Sequence, residues 1–230
     1  MRKTQYQKAL RTAFPVTVPV LTGFLCLGVA YGILMSTRGY GVLWTGLMSA
    51  VAFCGSMQFV AITLLTQVFD PLQALLLSIM VNARHMFYGL SMLEKYKGLG
   101  KAKFFLIYML CDETFSIVST VEPPEGVEPR EYYLSVTLLD YGYWLAGSLL
   151  GAAVGGLLSF DTTGLDFALT ALFVVLFLEQ WKKRENRPSA VIGVLCTAVS
   201  LVVFGADNLV IPAMALILVS LLIGRKKLCT

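Results

Sequence analysis

Apolar runs separated by short polar pieces occupy nearly the whole chain. They cover Phe14 to Met35, Tyr40 to Phe69, Pro71 to Leu93, Lys103 to Val121, Tyr132 to Leu158, Leu165 to Trp181, Pro188 to Gly205 and Asn208 to Ile223. Most are long enough for a helix to cross a hydrocarbon core of about 30 Å. The connections are short, except for the acidic, proline-bearing loop Glu122 to Arg130, which marks the midpoint of the chain. The pattern predicts an all-α polytopic membrane protein with one transmembrane domain over residues 1–230.

Lysine and arginine cluster at the N-terminus, at Lys95 to Lys103, at Lys182 to Arg187 and at Arg225-Lys226-Lys227. The positive-inside rule places all four clusters in the cytoplasm. Single crossings by every run would put Lys95 to Lys103 outside, so some run does not cross. The conflict disappears if Tyr40 to Phe69 and Leu165 to Trp181 are broken or re-entrant. About six spanning helices then remain, with both termini in the cytoplasm of a multi-pass protein of the cytoplasmic (inner) membrane. Re-entrant backbone is tolerated only where protein or a watery cavity covers it. The N-terminal run follows a basic stretch but lacks a small-residue cleavage pattern, and is expected to be a retained helix.

An internal similarity fits the same plan. Leu21 to Leu25 and Gly28 to Ser36 resemble Leu145 to Leu149 and Gly151 to Ser159, and Pro71 and Pro188 open matching later runs. The expectation is two pseudo-symmetric halves, about 12–121 and 131–224, inverted in the membrane as in many secondary transporters. Chance similarity between glycine-rich helices is the competing explanation. Glycines at Gly28, Gly32, Gly147, Gly151 and Gly155 form small-residue stripes suited to close helix packing.

Composition adds little that this pattern does not already imply. Hydrophobic residues make up 57% and charged residues 14% of the chain, with mean hydropathy +0.75, which excludes an ordinary soluble domain. The net charge of +4 comes from clusters at the ends of apolar runs, so it signals orientation and no nucleic-acid partner. The five cysteines form no C-x-x-C pair and read as small hydrophobes, and no cofactor or metal is expected. A nucleotide-binding G-x-x-x-x-G-K-[ST] motif is missing from the sequence.

Candidate chemistry lies where polar residues interrupt the apolar runs, because a charge at the bilayer centre costs about 2.5–3.5 kcal/mol even on the lenient insertion scale. Gly55, Ser56, Met57 and Gln58 break one run, and unwound backbone there could bind the charged ends of a zwitterion; a packing face of small residues is the alternative. Asn82 shares a helix face with His85, and Arg84 with Tyr88. His85 is the sole histidine and either carries a proton or serves as a hydrogen-bonded structural group. Asp112 and Glu113 diverge on a helix, so one is expected to neutralise Arg84 while the other faces a cavity or polar neighbour. Asp140 and Asp166 are weaker candidates that could simply be wet, and Tyr141, Tyr143 and Trp144 could be an interfacial belt.

These motifs together resemble the AzlC-type branched-chain amino acid permeases. The carrying residues are Phe53-x-Gly55-Ser56-x-Gln58-Phe59, Asn82-x-Arg84-His85 followed by Tyr88-Gly89, Cys111-Asp112-Glu113-x-Phe115, and Leu165-Asp166-Phe167-Ala168 with Phe173 beyond. The resemblance implies export of valine, leucine, isoleucine and methionine with a small AzlD-type membrane subunit. Proton-motive force would be the drive, with Gly55 to Gln58 and Asn82 at the substrate and Arg84, His85, Asp112 and Glu113 as coupling groups or ion pairs. Met57 stands where that family often has a small residue, and would narrow the site. A passive small-ion channel and an intramembrane enzyme are the alternatives, the second lacking a nucleophile elbow or metal-ligand set.

Overall fold

The computed structural model describes residues 2–157 apart from 67 and 69, residues 174, 177, 178, 181, 182 and 184, and residues 187–228 apart from 206–208. Every regular element among them is helical. The segment 165–181, expected to be re-entrant, and Asp166 lie largely or wholly outside the described residues. The chain forms two compact units, Met1–Thr162 and Thr163–Thr230.

In the first unit two long helices, α1 (Arg2–Thr37) and α7 (Pro129–Leu157), pack along their length. The glycine stripes cause this contact. A Cβ on Gly28 would come within 3.0 Å of the Ser148 backbone nitrogen, one on Gly147 within 3.0 Å of the Phe24 carbonyl, and one on Gly155 within 3.0 Å of Ser36. Close backbone approach of this kind is how helices associate without a hydrophobic drive. The register climbs together, Gly28 against Gly147 and Ser36 against Gly155, so the helices are parallel. Inverted halves of three crossings each would set them antiparallel.

The difference originates in the segment 103–121. It is not one helix but two short ones, α5 (Ala102–Tyr108) and α6 (Asp112–Thr120), separated at Met109 to Cys111. An equivalent break at Phe53 to Gly55 separates α2 (Val42–Ala52) from α3 (Ser56–Thr66). Between these pairs runs α4 (Pro71–Lys95), started by Pro71 and by Asp70, whose carboxylate accepts from the amides of Leu72 and Gln73.

Both broken pairs fold back on themselves. The Tyr40 hydroxyl, just before α2, donates to the Leu65 carbonyl at the far end of α3 at 3.0 Å. Two collinear helices of 11 residues each would hold those positions about 35 Å apart. In the second pair, Lys103 at the start of α5 donates to the Leu93 carbonyl (3.2 Å), and Lys95 donates to the Ser119 carbonyl at the end of α6 (3.3 Å). Both ends of that hairpin therefore sit at the C-terminal end of α4. Its turn reaches Arg84, nine residues or about 13 Å back along α4.

The two hairpins enter from opposite ends of α7. Gly46 of α2 lies against Leu149, and Tyr133 near the start of α7 meets Glu122 just beyond α6. A buried cluster of Ala9, Ala13, Tyr96, Leu106, Val118 and Tyr132 gathers the start of α1, the end of α4, the second hairpin and the start of α7 at one end. There Lys95 pairs with Glu122 at 2.8 Å, and the bond from its ammonium holds that exposed carboxyl below the usual glutamate range.

In the second unit α8 (Arg187–Phe204) packs on α9 (Val210–Leu228). Gly205, at φ +74°, takes the left-handed conformation that ends α8. Among the described residues, Gln5–Thr37 and Arg187–Phe204 are long and apolar enough to cross a bilayer. Helices α4 and α7 have the length, about 37 and 43 Å, but carry polar groups at their middles. Large apolar side chains such as Leu43, Trp44, Phe87, Leu90 and Phe104 are exposed, more than water tolerates and as lipid requires.

Candidate functional site at the meeting point of two hairpin turns

The first turn is held by groups that satisfy one another. Phe53 (φ 27°) and Gly55 (φ 40°) carry the chain through positive φ, and no atom lies within 4 Å of a Cβ built on Gly55. Glycine is thus needed there for conformation rather than space. Ending α2 orphans its last carbonyls. Ala50 accepts from the Tyr141 hydroxyl at 3.2 Å, and Val51 from the Tyr108 hydroxyl. On the other side of the break Gln58 is wholly buried, donating from Nε2 to Ser49 Oγ (3.1 Å) and accepting at Oε1 from Trp144 Nε1 (2.8 Å). Phe24 and Tyr31 pack on that indole.

The second turn uses acids. Asp112 and Glu113 open α6, where the helix dipole favours negative charge. Next to them Thr114 donates to Asp140 Oδ2 of α7 at 2.7 Å. Asp140 and Trp144 lie one helical turn apart on α7, so one face of that helix grips the first turns of both α3 and α6.

Arg84 joins the two turns. It is the fourteenth of the 25 residues of α4 and donates from one terminal nitrogen to Ser56 Oγ (2.7 Å), while that nitrogen lies 2.9 Å from Asp112 Oδ2. Ser56 and Asp112 are the first residues of α3 and α6. A cation facing two helix N-termini is disfavoured by both dipoles. The Asp112 charge offsets that cost.

Beside this junction lies a cavity of about 410 Å³ between both breaks and α4. Met48, Met57 and Ile107 make its walls apolar, while Ser78, Asn82 and His85 present polar groups from one face of α4. Asn82 Oδ1 and His85 Nδ1 are buried atoms with no hydrogen-bond partner. The His85 ring meets Tyr88 edge-on, and Tyr88 stacks on Phe115 with centroids 4.3 Å apart. The polar stripes expected on α4 are therefore real and face different partners, Asn82 and His85 the cavity, Arg84 and Tyr88 the start of α6.

Of the residues singled out in the sequence, Met57, Asn82 and His85 line the cavity, and Gly55 and Ser56 form the adjoining turn. Gln58 is spent on Ser49 and Trp144. Glu113 makes no ion pair among the described residues. Two expectations are corrected. Asp140 is not wet but wholly buried, and Trp144 lies at mid-helix under α1 and α3 rather than in an interfacial belt. Ser49, Tyr108 and Thr114 belong to the site and were not foreseen. Nothing in their local sequence marks them; the stripe of Asp140, Trp144, Gly147 and Gly151 marks only the face of α7 against which the turns are held.

The model of the AzlC protein family matches residues 19–158, which span both breaks. The chain is similar to the branched-chain amino acid transport protein AzlC of Bacillus subtilis (strain 168), 47% identical over 227 residues, covering 99% of this chain and 89% of that one. It is 38% identical over 224 residues to an uncharacterized membrane protein of Helicobacter pylori (strain ATCC 700392 / 26695), covering 97% and 98%. Similarity extends to the inner membrane protein YgaZ of Escherichia coli (strain K12), 24% identical over 177 residues, covering 74% and 72%. No solved structure matches. By this family match and by the near-full-length identity to the Bacillus protein, the chain is a member of the AzlC family.

Proposed function

We propose that the protein is a secondary transporter of the cytoplasmic membrane that exports branched-chain amino acids, driven by proton-motive force and working with a small AzlD-type subunit. The substrate class is taken from the name of the Bacillus relative. The observation that carries the reading is the cavity between two helix breaks at mid-length of α4, apolar on its walls and polar along one edge. Its volume falls within the range of about 300–1,000 Å³ usual for ligand sites.

In this reading α1, α4 and α7 cross the bilayer, and the α2–α3 and α5–α6 hairpins are re-entrant from opposite faces. The basic start of α1 and the Lys95 to Lys103 loop then share the cytoplasmic face, as the positive-inside rule asks. Support comes from the buried cluster that joins Ala9 and Ala13 to Tyr96 and Leu106. Discontinuous helices at mid-membrane are the usual way carriers present backbone to a zwitterion.

The substrate carboxylate is assigned to the first turn of α3 at Gly55 and Ser56, where helix amides face an anion. Its ammonium is assigned to Asn82 Oδ1, and its branched side chain to Met48, Met57 and Ile107. His85 borders the bound substrate. Gln58 acts as the strut that holds the turn, and the Arg84–Asp112 pair holds the two hairpins together.

The test is counterflow of labelled leucine, valine and isoleucine in proteoliposomes holding the full chain, alone and with its small partner. Saturable, stereoselective exchange is expected, with Asn82→Ala raising KM about tenfold through loss of a charge-assisted bond. Non-saturating flux that follows voltage alone would replace the carrier by a channel.

A further inference from the structure

Among the described residues, Asp140 is a buried acid whose surroundings its structural role does not explain. It sits at mid-length of α7, wholly buried. Its Oδ2 accepts from Thr114, whereas its Oδ1 is buried with no hydrogen-bond partner. No cationic side chain pairs with it among the described residues. Arg84 pairs instead with Asp112 and Ser56.

An ionised carboxylate with one unbonded oxygen and no counter-charge costs several kcal/mol to bury, and such a group becomes neutral instead. Neutrality here requires a proton on the carboxyl. The groups facing Asp140 do not supply a charge to replace it. From α6 and the break before it these are Thr114, the Cys111 thiol that contacts the Thr114 hydroxyl at 3.1 Å, and Glu113, which brings the same sign of charge. On α7 itself the neighbouring Tyr141 is turned to the Ala50 carbonyl.

We propose that Asp140 is the proton-carrying carboxyl of the transport cycle, and that it holds its proton while the two hairpin turns are closed on each other. This rests on the transporter reading above. Among the described residues the one hydrogen bond from the second hairpin to Asp140 comes from Thr114, so parting of α6 from α7 would break that bond and expose the carboxyl to water. One proton binds to Oδ1 from water on the outer face, giving a neutral carboxyl. The same proton leaves to water on the cytoplasmic face, restoring the carboxylate, as an amino acid moves outward. Buried intramembrane acids are the usual proton relays of carriers.

The test uses the full chain in two ways. Infrared spectra of purified protein with side-chain-labelled aspartate are expected to show a protonated-aspartate carbonyl band at neutral pH, absent from Asp140→Asn. No such band in the wild type, or an unchanged band in the variant, overturns the proposal whether or not transport is seen. In proteoliposomes Asp140→Asn is expected to keep amino-acid counterflow within about twofold while losing flux driven by a pH gradient by about tenfold or more. Gradient-driven flux retained by the variant, or driven equally by a sodium gradient in the wild type, overturns it as well. Thr114→Val, which keeps the carboxyl but removes its one hydrogen bond, is expected to move the pH midpoint of flux; an unmoved midpoint counts against the proposal. Wild-type vesicles that fail to exchange branched-chain amino acids at all would sink the transporter reading instead, leaving the infrared result to stand alone.

Discussion

The two hairpin turns solve the same problem with different chemistry. Each must end one helix and start another away from water, and each therefore needs partners for orphaned backbone and buried polar groups. The turn at Phe53 to Gln58 does this with neutral groups, each polar atom of the Gln58 side chain having a partner and the α2 carbonyls capped by tyrosines. At Met109 to Thr114 the work is done by acids, and oxygens of both Asp112 and Asp140 are left without partners. The first turn is built as a fixed support for the cavity. The second keeps unused hydrogen-bonding capacity, which in the proposed cycle makes it the element that moves and titrates.

The largest effect is expected at the fixed turn. Trp144→Ala removes a buried indole and strands Gln58 Oε1, and should cost about 3–5 kcal/mol in thermal unfolding of the detergent-solubilised protein. Loss of less than about 1 kcal/mol would mean that the indole is not seated as described. Arg84→Gln severs the link between the turns. It should cost about 2 kcal/mol, a value discounted for the 38% and 31% exposure of the paired side chains. Adding Asp112→Asn should recover part of that loss, and an additive double variant would show the two residues to be uncoupled.

Smaller effects sharpen the contrast. Tyr141→Phe uncaps the Ala50 carbonyl and should cost about 1 kcal/mol. Glu122→Gln, outside both turns, tests the ion pair that pins the second hairpin to the end of α4. The Glu122 carboxyl is held below its usual range in the folded protein, so its contribution is complete above about pH 4.3 and is lost as pH falls through the folded value. Wild type and variant should therefore differ slightly in Tm near neutrality and converge in acid. A difference that grows in acid would reverse the assignment.

The sequence revealed these two turns unequally. Gly55 among Ser56 and Gln58 announces a break in an otherwise apolar run, and Asp70-Pro71 marks the start of α4 to the residue. The second break has no glycine, and Leu106 to Cys111 continues a helical apolar pattern through it. Its only local mark was the pair Asp112-Glu113, which reads either as intramembrane charge or as the acidic first turn of a new helix. That ambiguity is why the segment read as one continuous helix and not as two. The burial of Asp140 and its bond to Thr114 were not legible because Thr114 lies 26 residues away and meets it only once the second hairpin is in place. Asn82, Arg84 and His85 were legible because the α-helical period alone sorts them onto two faces.

Single cysteines introduced as Tyr40→Cys, Thr66→Cys, Lys103→Cys and Thr120→Cys, in a chain with Cys26, Cys54, Cys111, Cys196 and Cys229 replaced, test most directly whether two hairpins enter from opposite faces. A membrane-impermeant thiol reagent applied to sealed, oriented vesicles should label the first two sites from one face and the last two from the other. Labelling of positions 40 and 66, or of 103 and 120, from opposite faces would contradict the account, because each segment would then cross the membrane instead of returning.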